Sequence, residues 1–424
     1  MTEVNVERIR RDIETICSFN ATPGRGYTRF SFSKEDSLAR EYLLSECSRL
    51  GLKVTVDGVG NIRARLEGVD SQAPSVMTGS HIDTVYQGGM FDGLLGTVGA
   101  LEAIRMIVEK GLKTRHPVEL VVFSEEEGSN FSTPLAGSKA MVGRYSVEDL
   151  KRLKNASGVS MYEAAKEAGY EPDELPGQVL RPEEVKAMLE LHIEQSVVLD
   201  SERLPVGIVE AIAAIQTWEI DVSGVANHAG ATPMRLRNDP MAATAKVIAA
   251  VEDLAQKTPS GTTVGTVGRI HCEPNVTNVI PGKVRFSLDA RDVDTASLED
   301  FVEAFRRELE KQSRLHGVES EMRLLGGSEA VFLPREITEI IETEARERGI
   351  PCRRMNSGAV HDACILATLA KTGMIFVPSI GGRSHVPEEN TSYDDIEAGC
   401  NLLLGTLLKL AGQAGFRCSE ASER

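Results

Sequence analysis

Residues 78–93 read TGSHIDTVYQGGMFDG, and the fold turns on how this stretch is read. An apolar run, Pro74–Thr78, enters it. Leu94, Val98, Leu101, Ile104 and Ile107 leave it at helical spacing. A strand therefore passes into a helix through a loop holding His81, Asp83 and Asp92 beside Gly88, Gly89 and Gly93. Open α/β sheets place their sites in such loops, at the carboxyl ends of strands. Nitrogen and carboxylate ligands there suit a divalent metal. The plainer reading is a polar loop whose aspartate caps the next helix.

Outward from the loop, the pattern continues as α/β. Residues 4–18 and 34–51 read as amphipathic helices, separated by the Gly/Pro loop Thr22–Thr28. Lys53–Val56 and Asn61–Leu66 read as short strands, and Pro117–Phe123 as a buried one. Strand–helix–strand order implies parallel pairing. A helix-rich, charged segment spans about 136–186. In Ala187–Glu194, Glu190, His192 and Glu194 alternate with Leu189, Leu191 and Ile193. A strand with one ionisable face is half exposed or lines a site.

From residue 214 the texture changes to β-α-β-β-α-β: strands 216–223, 262–272, 283–291 and 318–325, with helices 239–255 and 296–315. That is the order of a split-βαβ, ferredoxin-like sandwich. Arg237 and Asp239, before its first helix, read as a structural pair and cap. The expected domains are 1–213 and 328–424, together one catalytic domain, with 214–327 inserted. The α/β texture resumes with a helix at 334–348, a strand at 373–377 and a helix at 393–412.

The 424-residue length fits two domains. A net charge of −16 argues against nucleic acid and anionic membranes as partners. Seven cysteines without a CxxC pair read as reduced thiols. With no signal-like core or bilayer-length apolar run, the expectation is a cytoplasmic protein.

Further candidates fall at strand ends: Glu125–Glu127 in SEEEG, His192, His361-Asp362 and Ser384-His385. Of eight histidines, positions 81, 192, 228, 361 and 385 sit in loop-like or strand-end contexts. A pair of metals needs a bridging carboxylate, flanking ligands and a carboxylate left free as base. The bland reading of Glu125–Glu127 is an acidic helix start.

GSHIDTVYQGGMFDG, FSEEEGSNF, LELHIEQ, NHAGATPMRLRNDP, NVTNVIPGKVRFSLDARD, SGAVHDA and PSIGGRSHVPEE resemble, in order, the motifs of the amidase/hydantoinase/carbamoylase branch of the M20 metallopeptidase-like hydrolases. The resemblance spans nearly the whole chain. It implies an α/β, mixed-sheet, di-metal aminopeptidase-like catalytic domain with an inserted α+β lid that forms a homodimer. It implies His81 and His192 on one metal, Glu127 and His385 on the other, Asp92 bridging and Glu126 as general base. Asp83 would orient the His81 ring. Gln195 and His361 would line the substrate pocket. His228, Asn278 and Arg291 would reach the substrate from the lid, with His228 supplied by the partner subunit, so that catalysis needs lid closure and a dimer.

The two metals would be zinc, manganese, cobalt or nickel. The substrate implied is a small anionic N-carbamoyl-L-amino acid, its carboxylate held by Arg291; without the resemblance, the plainer alternative for Arg291 is an ion pair on a lid strand. Allantoate or ureidoglycolate hydrolysis is the runner-up, an M20 aminoacylase or dipeptidase is more distant, and a metal-binding protein without catalysis is the non-enzymatic alternative. Val360 and Val386-Pro387-Glu388 depart from the branch's usual wording, which leaves substrate preference open.

Overall fold

The computed structural model describes residues 2–413; Cys418 lies outside them, and the other six cysteines are free thiols. The described chain divides into two compact units, one formed by 2–210, 333–355 and 360–413, the other by 211–332 and 356–359.

The larger unit is built on a mixed sheet. Its strands run in the order Lys53–Val56, Ile62–Leu66, Val118–Phe123, Ser75–His81, Val185–Ile193, Lys371–Val377 and Val206–Ile212. The central four, Val118–Phe123 through Lys371–Val377, pair in parallel, and the flanking pairs are antiparallel. Parallel strands are covered on both faces, so they read as apolar runs: VELVVF at 118–123 and SVMTGSH at 75–81 are buried throughout. The helix Leu94–Glu109 is buried from Leu94 to Ile107. It joins the helices Val6–Ser18 and Tyr393–Ala411 in one apolar core.

Several expectations change here. Glu190, His192 and Glu194 are all buried, so the ionisable face of their strand lines an interior site and none of it faces solvent. Besides two-residue strands, Val206–Ile212 and Cys352–Ser357 escaped the periodicity reading; the second is MNS at its end, where polarity mimics a loop. The segment 136–186 holds only short helices, Ala136–Met141, Val147–Arg152 and Met161–Glu167. Ser146 and Ser160 start the last two with capping boxes.

In the smaller unit the sheet order is Glu319–Ser328, Ala214–Ser223, Lys283–Asp292, Ile270–Glu273, all antiparallel. In chain order this is 4-1-3-2, the ferredoxin-like arrangement. Lys283–Asp292 alternates strictly, burying Val284, Phe286, Leu288 and Ala290 with Phe301 and Phe305 of the helix Thr295–His316. The expected strand 262–272 is broken into Val264–Thr266 and Ile270–Glu273. Between them the Ser287 hydroxyl accepts the Arg269 N–H at 3.2 Å, in place of a ladder bond. Asp239 caps the helix Pro240–Ala255. Arg237 is not its ion partner: its guanidinium donates to the carbonyls of Thr232 and Ala229. Among the described residues, no helix is long and apolar enough to cross a membrane.

Candidate metal centre

The four parallel strands deliver the candidate ligands. His81 ends the strand Ser75–His81, and Glu126 and Glu127 follow Val118–Phe123. His192 lies one residue from the end of Val185–Ile193, and His385 lies beyond Lys371–Val377. Asp92 sits just before the helix Leu94–Glu109 and is the common neighbour. Its Oδ1 is 3.2 Å from His192 Nε2 and 3.7 Å from His81 Nε2. Its Oδ2 is 3.1 Å from His385 Nε2, which in turn is 3.5 Å from Glu127 Oε2. His81, Asp92 and His192 form one group with ligand atoms within 4.8 Å of one another, and Asp92, Glu127 and His385 form another. Each carboxylate oxygen of Asp92 thus faces a different set of candidate ligands.

The backbone fixes which ring atoms point inward. His81 Nδ1 meets the Asp83 carbonyl at 3.0 Å, and His192 Nδ1 meets the Ile193 carbonyl at 2.9 Å. Spending Nδ1 on a carbonyl turns Nε2 toward the Asp92 carboxylate, where a cation could bind; His192 Nε2 also meets the Gly93 N–H at 3.2 Å. The Asp83 carboxylate is 3.7 Å from the His81 ring, beyond a hydrogen bond. It instead accepts the N–H groups of Glu126 at 3.2 Å and Glu127 at 3.1 Å. The acidic turn owes its shape to Asp83, as well as to Glu125, which stands at φ +51° and accepts from the N–H groups of Asn130 and Phe131. Gly93 is required for clearance and conformation alike: φ is +63°, and a Cβ there would lie 2.3 Å from His81 Nε2.

Charge balance asks for a cation. Asp83, Asp92 and Glu126 are buried together, with Glu127 alongside. Burial and then the charges of Asp362 and Glu127 push the Glu126 carboxyl well above its usual range. Burial and then Asp92 do the same to Glu127. Asp92 is held well below its usual range: burial opposes ionisation, but His192 and His385 outweigh it. Glu127 Oε1 is buried without a hydrogen-bond partner. Buried carboxylates at this density need compensating positive charge. The donor set, imidazole nitrogen and carboxylate oxygen, fits divalent metals.

Other groups crowd the same place. Gln195 Nε2 donates to Asp92 Oδ2 at 2.8 Å, so this expected pocket residue lies directly on the Asp92 carboxylate. The buried His361 ring is 4.6 Å from the His192 ring, centroid to centroid. Three further residues support the site; of these, Glu389 escaped the sequence reading. Glu190 accepts from Ser80 Oγ and the Ala363 N–H. Ser384 Oγ donates to Asp92 Oδ2 at 2.9 Å. Glu389 accepts from the N–H groups of Phe91 and Asp92. Only the acidic residue in SHVPEE hinted at the last.

In the smaller unit, His228 and Asn278 are exposed, on a narrow ladder where Val279 pairs with His228 and the Asn278 carbonyl accepts the Ala229 N–H. His228 Nδ1 accepts the N–H groups of Gly230 and Ala231, fixing the ring. Arg291 holds Asp289 at 2.7 Å and donates to the Gly358 carbonyl at 2.7 Å.

Comparison with known proteins gives consistent matches. Residues 77–409 match the family described as Peptidase family M20/M25/M40. An N-carbamoyl-L-amino acid amidohydrolase of Geobacillus stearothermophilus is 40% identical over 405 residues, 96% of this chain and 98% of the relative. An allantoate amidohydrolase of Escherichia coli is 34% identical over 408 residues, 96% of this chain and 98% of the relative. Among solved structures, an amidase of the hydantoinase/carbamoylase family from Burkholderia multivorans superposes with a TM-score of 0.90 at 33% identity, covering 97% of this chain and 98% of that one.

Proposed function

From membership of Peptidase family M20/M25/M40, to which this chain belongs, we propose that it hydrolyses the ureido C–N bond of N-carbamoyl-L-amino acids, yielding the amino acid, carbon dioxide and ammonia. The observation that carries the reading is Asp92, whose two oxygens face separate ligand sets with the Glu126 carboxylate alongside, 3.7 Å from His81 Nε2. The relative at 40% identity carries the substrate class.

His81, His192 and Asp92 would hold one divalent cation, and Asp92, Glu127 and His385 a second, of zinc, manganese, cobalt or nickel. Such cations, when bound, acidify a water and polarise the scissile carbonyl. Glu126 is the base. It coordinates nothing in the assignment, and its carboxylate, 3.7 Å from His81 Nε2, is placed to take a proton from water and return it to the leaving nitrogen. Asp83 holds the Glu126–Glu127 turn through its two N–H groups. Gln195 and His361 line the substrate pocket. Arg291 and Asn278 would bind the substrate carboxylate, and His228, its Nδ1 already engaged, would present Nε2 to the developing oxyanion.

We further assign a homodimer through the smaller unit, where Val225, Met234, Leu236 and Val276 are exposed. Sedimentation giving only a monomer at full activity would remove that assignment.

Ammonia release measured across N-carbamoyl-L-amino acids, allantoate, ureidoglycolate and N-acetyl-amino acids tests the substrate. Turnover confined to allantoate would favour the second reading, which rests on the 34%-identical allantoate amidohydrolase. Glu126→Gln should lower kcat by about 10²- to 10⁴-fold while metal content stays unchanged; unchanged turnover would remove Glu126 as base.

A further inference from the structure

Glu389 ties together two loops 297 residues apart in sequence. Its Oε1 accepts the N–H of Phe91 at 2.8 Å and of Asp92 at 3.0 Å. Its Oε2 accepts the Ser384 hydroxyl at 3.1 Å and the His385 N–H at 3.3 Å. With three main-chain donors, and the Ser384 hydroxyl shared with Asp92, the carboxylate is satisfied by protein groups, so it serves as a brace and is left out of the ligand set. It is 5% exposed. Its own N–H closes a turn onto the Val386 carbonyl at 3.1 Å, which folds the segment 384–389 back on itself. Gly89 makes the space: a Cβ there would lie 2.1 Å from Glu389 Cδ.

His385 needs this support. It stands at φ +61°, a conformation an L-residue holds only when its surroundings fix it. No strand carries it, whereas His81 and His192 lie within strands and are paired in the ladder with Phe123 and Phe376. Phe91 and Asp92 likewise belong to a loop. Glu389 therefore grips, from one side chain, the backbones of both residues whose side chains meet at Asp92 Oδ2 and His385 Nε2.

We propose that Glu389 is a positioning residue that sets the separation of Asp92 from His385 and thereby the affinity of the cation held by Asp92, Glu127 and His385. This rests on the two-cation reading above. Two substitutions probe it differently. Glu389→Gln keeps the volume but turns an amide N–H₂ toward N–H or O–H donors at one end of the brace. Gly89→Ala keeps the carboxylate and displaces it.

The test is cobalt(II) titration of the full chain after metal removal, followed by visible absorption and by chelator competition. The wild type should take up two equivalents of different affinity. In Glu389→Gln the tighter equivalent should stay near wild type and the weaker should lose about 10- to 100-fold in affinity. Excess cobalt should restore kcat with KM unchanged, which a general structural defect would not allow. Gly89→Ala should show the same pattern, and decides alone by the same criterion if Glu389→Gln does not fold. Unchanged affinity for both equivalents, or equal weakening of both, overturns the proposal. If the wild type binds fewer than two equivalents, the two-cation reading fails and the brace falls with it; two wild-type equivalents with unaffected variants sink the brace alone.

Discussion

The two sides of Asp92 are built by different means. On the Oδ1 side, His81 and His192 are 2% and 1% exposed, lie within parallel strands, and have their outer ring nitrogens bonded to main-chain carbonyls. On the Oδ2 side, the His385 side chain is 47% exposed, its backbone is left-handed, and its place depends on a turn and on Glu389. The first side inherits its rigidity from the sheet. The second is assembled from side chains and loops, where local stability is lower. A binding site made this way should hold one cation tightly and the other exchangeably.

Asp92→Asn is the strongest way to break the comparison, because it alone touches both sides. It removes the charge that His192 and His385 share. Both cobalt equivalents should weaken, and kcat should fall further than the roughly 10²- to 10⁴-fold expected for losing a base alone. Metal analysis showing one equivalent retained at wild-type affinity would mean that Asp92 serves only one side.

Gly93→Ala attacks only the Oδ1 side. The added methyl would meet the His81 ring at 2.3 Å, at a residue whose φ of +63° already disfavours a side chain. The backbone strain alone costs about 1–3 kcal/mol. The tighter cobalt equivalent should weaken more than the weaker one, narrowing or reversing the order expected of the wild type. An unnarrowed gap between the two in a chelator competition series would show that His81 is not held where Gly93 forces it.

The asymmetry also explains what could be read from sequence. The strand ends were legible because buried parallel strands are apolar runs and stop at polar residues: VELVVF before SEEEG, and SVMTG before His81. The ferredoxin-like unit was legible because Lys283–Asp292 alternates on every residue. The supporting carboxylates were not. Alternation marks Glu190 only as half exposed or site-lining, and Glu389 looks like any surface acid, until the fold buries them against N–H groups 173 and 298 residues away; no periodicity encodes a contact of that span. For the same reason Asp83 reads as a partner of the nearby His81, when its carboxylate holds the turn at Glu126 and Glu127.

Ser384→Ala is the gentlest probe and the most selective for the Oδ2 side. The hydroxyl lies 2.9 Å from Asp92 Oδ2 and 3.1 Å from Glu389 Oε2, and its single proton serves one of them at a time. Removing it deletes one hydrogen bond to a charged acceptor, about 1.5–3 kcal/mol before relaxation. Glu389 keeps three of its four donors, so the brace itself survives. The weaker cobalt equivalent should therefore loosen only about tenfold, less than in Glu389→Gln, and the tighter one should not move. Loosening as large as that of Glu389→Gln would shift the credit for positioning His385 from the carboxylate to the serine. No change at all would leave Glu389 as the one side chain whose removal distinguishes the two sides of Asp92.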